Sequence, residues 1–157
     1  MKLTYLFIHC SYTSDRFQLT PEIILKWHLQ DNQWSRPGYS DLILRDGTLH
    51  NLHPYNQDDE VDHNEKTWGV KGVNGISRHL CIEGGKDDNG DASNPLNVHT
   101  SIVHSLRTYL EYTILRHPLI KIAGHYQFQP DKPFCPGFNV PQFCKGMNIP
   151  ESNIFTG

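Results

Sequence analysis

Ten of the 157 residues are histidine, a large stock of groups that ligate metals and titrate near neutrality. Two of them stand where strand-like segments end. His9 lies at the exit of residues 3–11 and His125 at the exit of residues 119–124. Ten residues beyond His125 comes Cys135, within Lys132-Pro133-Phe134-Cys135-Pro136-Gly137. If the first and last strands run side by side in one direction, both imidazoles open on one edge of the sheet, and the following loop returns a thiolate to them. Two imidazoles and a thiolate suit zinc (Zn2+) better than magnesium or calcium. Three protein ligands leave the fourth tetrahedral position for water, as in catalytic zinc sites. A zinc that only stabilises the fold is the other reading. It requires a fourth protein ligand, for which Cys144 and His79 are the candidates.

The other histidines and cysteines have plainer readings. His28 falls on the apolar side of a helix, as a hydrogen-bonded core histidine does. His50 and His53 are three apart on a strand and point to opposite faces, so they do not share a metal. His63, His99, His104 and His117 read as surface residues, with His117 near a helix C-terminus whose dipole favours its charged form. Cys10 follows His9 on a strand and faces the other way, into the core. Cys81 reads as a strand-core thiol, and the pattern assigns no role to Cys144 or His79. Four cysteines permit two disulfides in three connectivities, but free thiols are the expectation in a reducing cytosol. Residues 86–97 superficially suggest a calcium loop through Asp87, Asn89 and Asp91. Ala92 stands where the turn glycine belongs and Val98 where the bidentate glutamate belongs, so that reading fails.

The elements that must position these groups follow from periodicity and punctuation. Residues 3–11 alternate and are rich in aromatic and β-branched types, a strand. Thr20-Pro21-Glu22 starts a helix, with Thr as N-cap and Pro at the first helical position; Ile23, Ile24, Trp27 and His28 carry it to about residue 33. Residues 42–50 read as a hairpin around Asp46-Gly47, which suits a type I′ turn. Residues 51–66, polar and acidic, read as a long surface loop. A strand follows at 76–83, closed by Gly84-Gly85, then the longest helix at 98–117, with Ile102, Leu106, Tyr109, Leu110 and Thr113 down one face and Pro118 stopping it. Residues 119–124 form the last strand, and the remainder reads as an irregular tail. The order β-α-β-β-β-α-β implies an α/β fold: a single domain over 1–157, a central mixed β-sheet flanked by α-helices, core at about 3–143 and irregular tail at 144–157.

Composition bounds the function. The chain is 37% hydrophobic and 11% aromatic with net charge −3. That is a folding composition without the basic balance of a nucleic-acid binder. No stretch approaches the roughly 18 apolar residues of a membrane span, and the N-terminal apolar run is too short for a signal peptide. The expectation is a chain cytoplasmic on synthesis, monomeric, with no membrane anchor.

Several motifs in order resemble one family. Ile8-His9-Cys10-Ser11, Trp27-His28, Gly38-Tyr39 and Arg45-Asp46-Gly47-Thr48 are similar to the opening segments of the zinc-dependent N-acetylmuramoyl-L-alanine amidases. This is the type-2 amidase superfamily, which includes phage lysozyme-like endolysins and peptidoglycan-recognition proteins. Lys71-Gly72-Val73-Asn74, Ser77 and Cys81-Ile82-Glu83-Gly84-Gly85 resemble its central segment, and Gly124-His125 with Cys135-Pro136 its closing one. The resemblance covers residues 4–143. It implies the amidase/PGRP-like fold, His9, His125 and Cys135 as ligands of one catalytic Zn2+, and hydrolysis of the amide between N-acetylmuramic acid and L-alanine in bacterial peptidoglycan. A phage endolysin that acts on the cell wall after release fits best; a non-catalytic peptidoglycan-binding module of the same fold is the alternative. Tyr39 matches the family tyrosine, whose hydroxyl steers water or donates to the oxyanion. Lys132 would place a positive charge near the tetrahedral intermediate, the kind of stabilisation worth about 2.7–4 kcal/mol per donor. Trp34 and Trp68 either line a substrate groove or simply pack. The chain departs from the pattern in four places. Pro133 stands where short phage enzymes carry a lysine, Ser40-Asp41 follows Gly-Tyr in place of His-aromatic, Gly69 replaces a histidine, and His79 replaces a small residue.

Overall fold

A computed structural model describes residues 1–92 and 98–157; the end of the polar 86–97 stretch lies outside the described residues. The strand β1 (Tyr5–Cys10) sorts its side chains by alternation. Leu6, Ile8 and Cys10 enter the larger core with Ile102, Leu106 and Leu110 of the long helix α2 (Thr100–Arg116). Phe7 enters a smaller cluster on the opposite face with Val70 and Ala123. Each fully buried aliphatic of α2 is worth about 1.5–3 kcal/mol.

On either side of β1 lie β4 (Ser77–Ile82) and β5 (Lys121–Gly124), both parallel to it. β2 (Asp41–Ile43) pairs parallel with β4, and the edge strand β3 (Leu49–Asn51) pairs antiparallel with β2. The order is β3-β2-β4-β1-β5, one mixed sheet with helices packed on it, as the motif order implied. Strands covered on both faces lose clean alternation; every residue of β4 is buried. The register sets Ile8 of β1 beside Gly124 of β5. The next residue on each strand, His9 and His125, therefore emerges at the same edge.

Four local expectations need correction. The first helix, α1 (Pro21–Lys26), is capped as expected, Thr20 Oγ1 accepting from Ile23 N–H at 3.4 Å. It then widens into a π turn over Trp27–Asp31, with Asn32 N–H donating to Trp27 O at 2.9 Å. The turn after β2 is not type I′, because only Gly47 of the Asp46-Gly47 pair has positive φ, +88°. Gly47 N–H donates to Leu44 O at 2.8 Å and Leu44 N–H to Thr48 O at 2.9 Å. Together these make a three-residue loop ending in a left-handed glycine.

Residues 51–66 are more than a surface loop, since Val61 and Glu65 are buried. Glu65 sits 3.0 Å from the buried Arg78 guanidinium and accepts from Asn56 N–H at 2.6 Å. An arginine buried on β4 needs that carboxylate. The tail is not irregular either. α3 (Val140–Gly146), capped by Asn139, buries Val140 and Cys144 in the main core, and Ile154 bridges to Ile122. Its short length and its Pro141 hid it among loop signals.

Candidate metal centre

Where β1 and β5 end side by side, His9 and His125 turn Nδ1 toward Nδ1 at 3.1 Å. Cys135 Sγ lies 3.8 Å from His9 Nδ1. The three donor atoms all fall within 4.8 Å of one another. The loop from His125 reaches back through its own backbone bonds. Phe128 and Gln129 N–H both donate to His125 O, Cys135 N–H donates to Lys132 O, and Tyr126 N–H donates to Cys135 O. Cys10 N–H then donates to the sulfur itself at 3.4 Å. The side-by-side parallel strands on which the ligand set depends are therefore present.

The donor set fits zinc. Bonds of about 2.0 Å to nitrogen and about 2.3 Å to sulfur place tetrahedral donors roughly 3.3 and 3.6 Å apart. His125 Nε2 lies 3.0 Å from Gln129 Oε1, which only accepts, so Nε2 carries the proton and Nδ1 presents a lone pair. Two imidazole lone pairs aimed at each other repel, and a cation between them turns that repulsion into ligation. Burial, then the neighbouring histidine charges, holds His9 well below the ordinary histidine value, and burial lowers His125. Both rings are thus neutral, the form that binds metal. Contact with Cys10 and burial hold the Cys135 thiol high; a cation at this point favours the thiolate.

The remaining site residues fall around this centre. The Tyr39 ring stands 5.0 Å from that of His9 and 5.1 Å from that of His28. Burial, with Cys81 and Cys135 nearby, holds its hydroxyl well above the ordinary tyrosine value. Lys132 is exposed, yet its charge contributes to lowering His125. His28 is the hydrogen-bonded core histidine expected, its Nδ1 accepting from Gly38 N–H at 3.1 Å and its ring stacked on Trp34. Trp34, Trp68 and Phe134 are exposed large side chains.

Cys81 is a strand-core thiol. Cys10 is in the core, as expected, but lies against the centre through its N–H. His50 and His53 bond separately, to Thr48 and to Asn64 O. His117 pairs with Asp59 at 2.7 Å, and His99 with Asp15 at 3.1 Å. Arg45 of the Arg-Asp-Gly-Thr motif is structural, bonding Asp15, Glu83 and the carbonyls of Ser14 and Phe17. Neither Cys144 nor His79 joins the ligand group among the described residues, which removes the basis for a closed four-ligand zinc.

Sequence reasoning missed two contributors. Gln129 lies four residues after His125, a spacing that suits a turn but is common by chance. His79 lies against the far nitrogen of His9, Nδ1 to Nε2 at 3.0 Å; only the strand pairing of β1 and β4 shows it. A separate cavity of about 550 Å3, lined by Leu3, Leu6, Tyr55, Arg78 and Tyr109, lies on the α2 face of the sheet.

Comparison with known proteins bears on the fold and on the chain's sequence relatives. No family model matches the chain. The endolysin of Escherichia phage T7 is 28% identical over 137 residues, covering 86% of this chain and 81% of that endolysin. Among solved structures, the N-acetylmuramoyl-L-alanine amidase LysC from Clostridium intestinale URNW superposes with a TM-score of 0.72 at 21% identity, covering 95% of this chain and 87% of that one. Bumblebee PGRP-SA superposes with a TM-score of 0.72 at 16% identity, covering 99% and 85%. The chain is thus similar in sequence to phage endolysins along most of its length and has the fold shared by N-acetylmuramoyl-L-alanine amidases and peptidoglycan recognition proteins.

Proposed function

We propose that the protein is a peptidoglycan hydrolase, a phage-type endolysin that cleaves the amide between N-acetylmuramic acid and L-alanine with one zinc held by His9, His125 and Cys135. The observation that carries this is the convergence of two Nδ1 atoms and one sulfur at a single strand edge. Zinc there supplies Lewis acidity toward the scissile carbonyl and acidifies the attacking water.

The chain's own groups do the rest. His125, held by Gln129, and His9, held by His79, present fixed lone pairs at the strand edge. Tyr39 keeps its proton because its pKa is raised, so its hydroxyl donates to the oxygen on which negative charge develops. Lys132 adds a positive charge from the loop that carries Cys135. The exposed parts of Trp34, stacked on His28, and of Trp68, beneath Arg36, offer apolar surface to a glycan or stem peptide.

The test is release of free L-alanine amino termini from purified sacculi. Release by the zinc-loaded protein, lost on chelation and in Cys135→Ser, supports the reading. Binding of sacculi without any release overturns it and leaves a recognition module.

A further inference from the structure

His79 is fully buried beside the candidate centre and contributes no ligand atom to it. Its ring lies between two partners. Nδ1 is 3.0 Å from His9 Nε2, and Nε2 is 2.9 Å from Ser77 Oγ. The direction of the protons in this row follows from its end. Ser77 Oγ donates to Val73 O at 2.8 Å, and a carbonyl can only accept. Ser77 has one proton, so its oxygen must accept from His79 Nε2–H. His79 Nδ1 is then bare and accepts from His9 Nε2–H. With its proton held on Nε2, His9 has its lone pair on Nδ1, the atom that faces His125 and Cys135.

We propose that His79 is a positioning residue that fixes the tautomer and ring angle of His9 through the row Val73–Ser77–His79–His9. Metal-bound histidines usually donate their second N–H to a carboxylate, a carbonyl or water. Here the acceptor is a second neutral imidazole, itself oriented by a serine. The ring is clamped from its sides as well. It stacks on Phe7 at 5.5 Å with an interplanar angle of 11°. Gly69 gives it room, because a Cβ there would stand 2.3 Å from His79 Nδ1 and 2.8 Å from Gly38 O. The absence of a side chain at 69 and the presence of the ring at 79 are therefore one arrangement.

The inference rests on the proposed zinc site, and its test separates the two. Zinc affinity is measured by competition with a chromophoric chelator for the wild type, His79→Leu and His79→Asn. Leucine fills the space without an acceptor, whereas asparagine offers Oδ1 close to where Nδ1 stood. Loss of an outer partner typically weakens metal binding about 10- to 100-fold, so His79→Leu binds zinc that much more weakly and His79→Asn recovers most of it. A wild type that fails to bind zinc overturns the metal site itself. Equal zinc affinity in the wild type and His79→Leu, or tighter binding by His79→Leu than His79→Asn, overturns the positioning role while leaving the site standing. Nitrogen-15 shifts of His9 in the metal-free wild type are read independently of any variant. The Nε2–H tautomer is expected, and the Nδ1–H tautomer contradicts the proposal.

Discussion

His9 and His125 meet through the same ring nitrogen, Nδ1 facing Nδ1 at 3.1 Å across the ends of two parallel strands. The outer nitrogen of each is occupied elsewhere, by His79 on one side and Gln129 on the other. Both rings are thus held from behind, the arrangement by which outer partners sustain affinity in metal sites. Its consequences can be measured.

Tyr39→Phe removes one hydroxyl and leaves the three ligands in place. Removing one donor to a developing oxyanion typically costs about 100- to 1,000-fold in rate. Turnover of sacculi falls by that order while zinc content stays at the wild-type level. Unchanged turnover makes Tyr39 a packing residue only.

Lys132→Ala has a smaller effect because the side chain is exposed. Its contribution is screened over a Debye length of about 8 Å at physiological salt. A loss of less than about tenfold is expected, and it narrows as salt is raised. A deficit that persists at 1 M salt shows direct contact with the substrate rather than a field effect.

Stability falls on acidification through His28, among other buried histidines. Burial lowers its pKa from 6.5 to about 4 in the folded protein. Below 6.5 the unfolded chain takes up the proton and the folded one does not, so stability is lost as pH falls from 6.5 toward 4. Between pH 6.5 and 5 this amounts to about 2 kcal/mol. Urea midpoints at the two pH values read it, and His28→Asn, whose Oδ1 stands close to the place of Nδ1 and keeps an acceptor for Gly38 N–H without a titrating ring, shows a shallower fall. An equal fall in both proteins assigns the acid sensitivity elsewhere.

Glu65→Ala leaves Arg78 buried without its carboxylate. Breaking a buried pair from one side costs about 3–5 kcal/mol. Chemical denaturation reads this directly; a loss under about 1 kcal/mol shows that water reaches the guanidinium in solution.

The convergence of His9, His125 and Cys135 was legible in the sequence because strand ends mark positions. His9 and His125 close two apolar strands, and a single loop returns Cys135. Tyr39 was legible only through family resemblance, since nothing in its spacing separates it from a turn aromatic. His79 was illegible for a physical reason: its role depends on β4 lying beside β1, a pairing that local periodicity does not encode. The type I′ turn failed because Asp46-Gly47 tolerates more than one loop length, and one left-handed residue sufficed. Val61 and Glu65 sat unnoticed in an acidic run because the partner that buries Glu65, Arg78, comes from a strand thirteen residues on. α3 was missed because a seven-residue helix takes its stability from the core it covers, not from propensity.

The most direct check on the central claim is the zinc content of the chain after loading and exhaustive dialysis, for the wild type beside His9→Ala. One zinc per wild-type chain and none in a folded His9→Ala is the expected result. No retained zinc in the wild type, or the same content in both proteins, contradicts a metal centre at His9, His125 and Cys135.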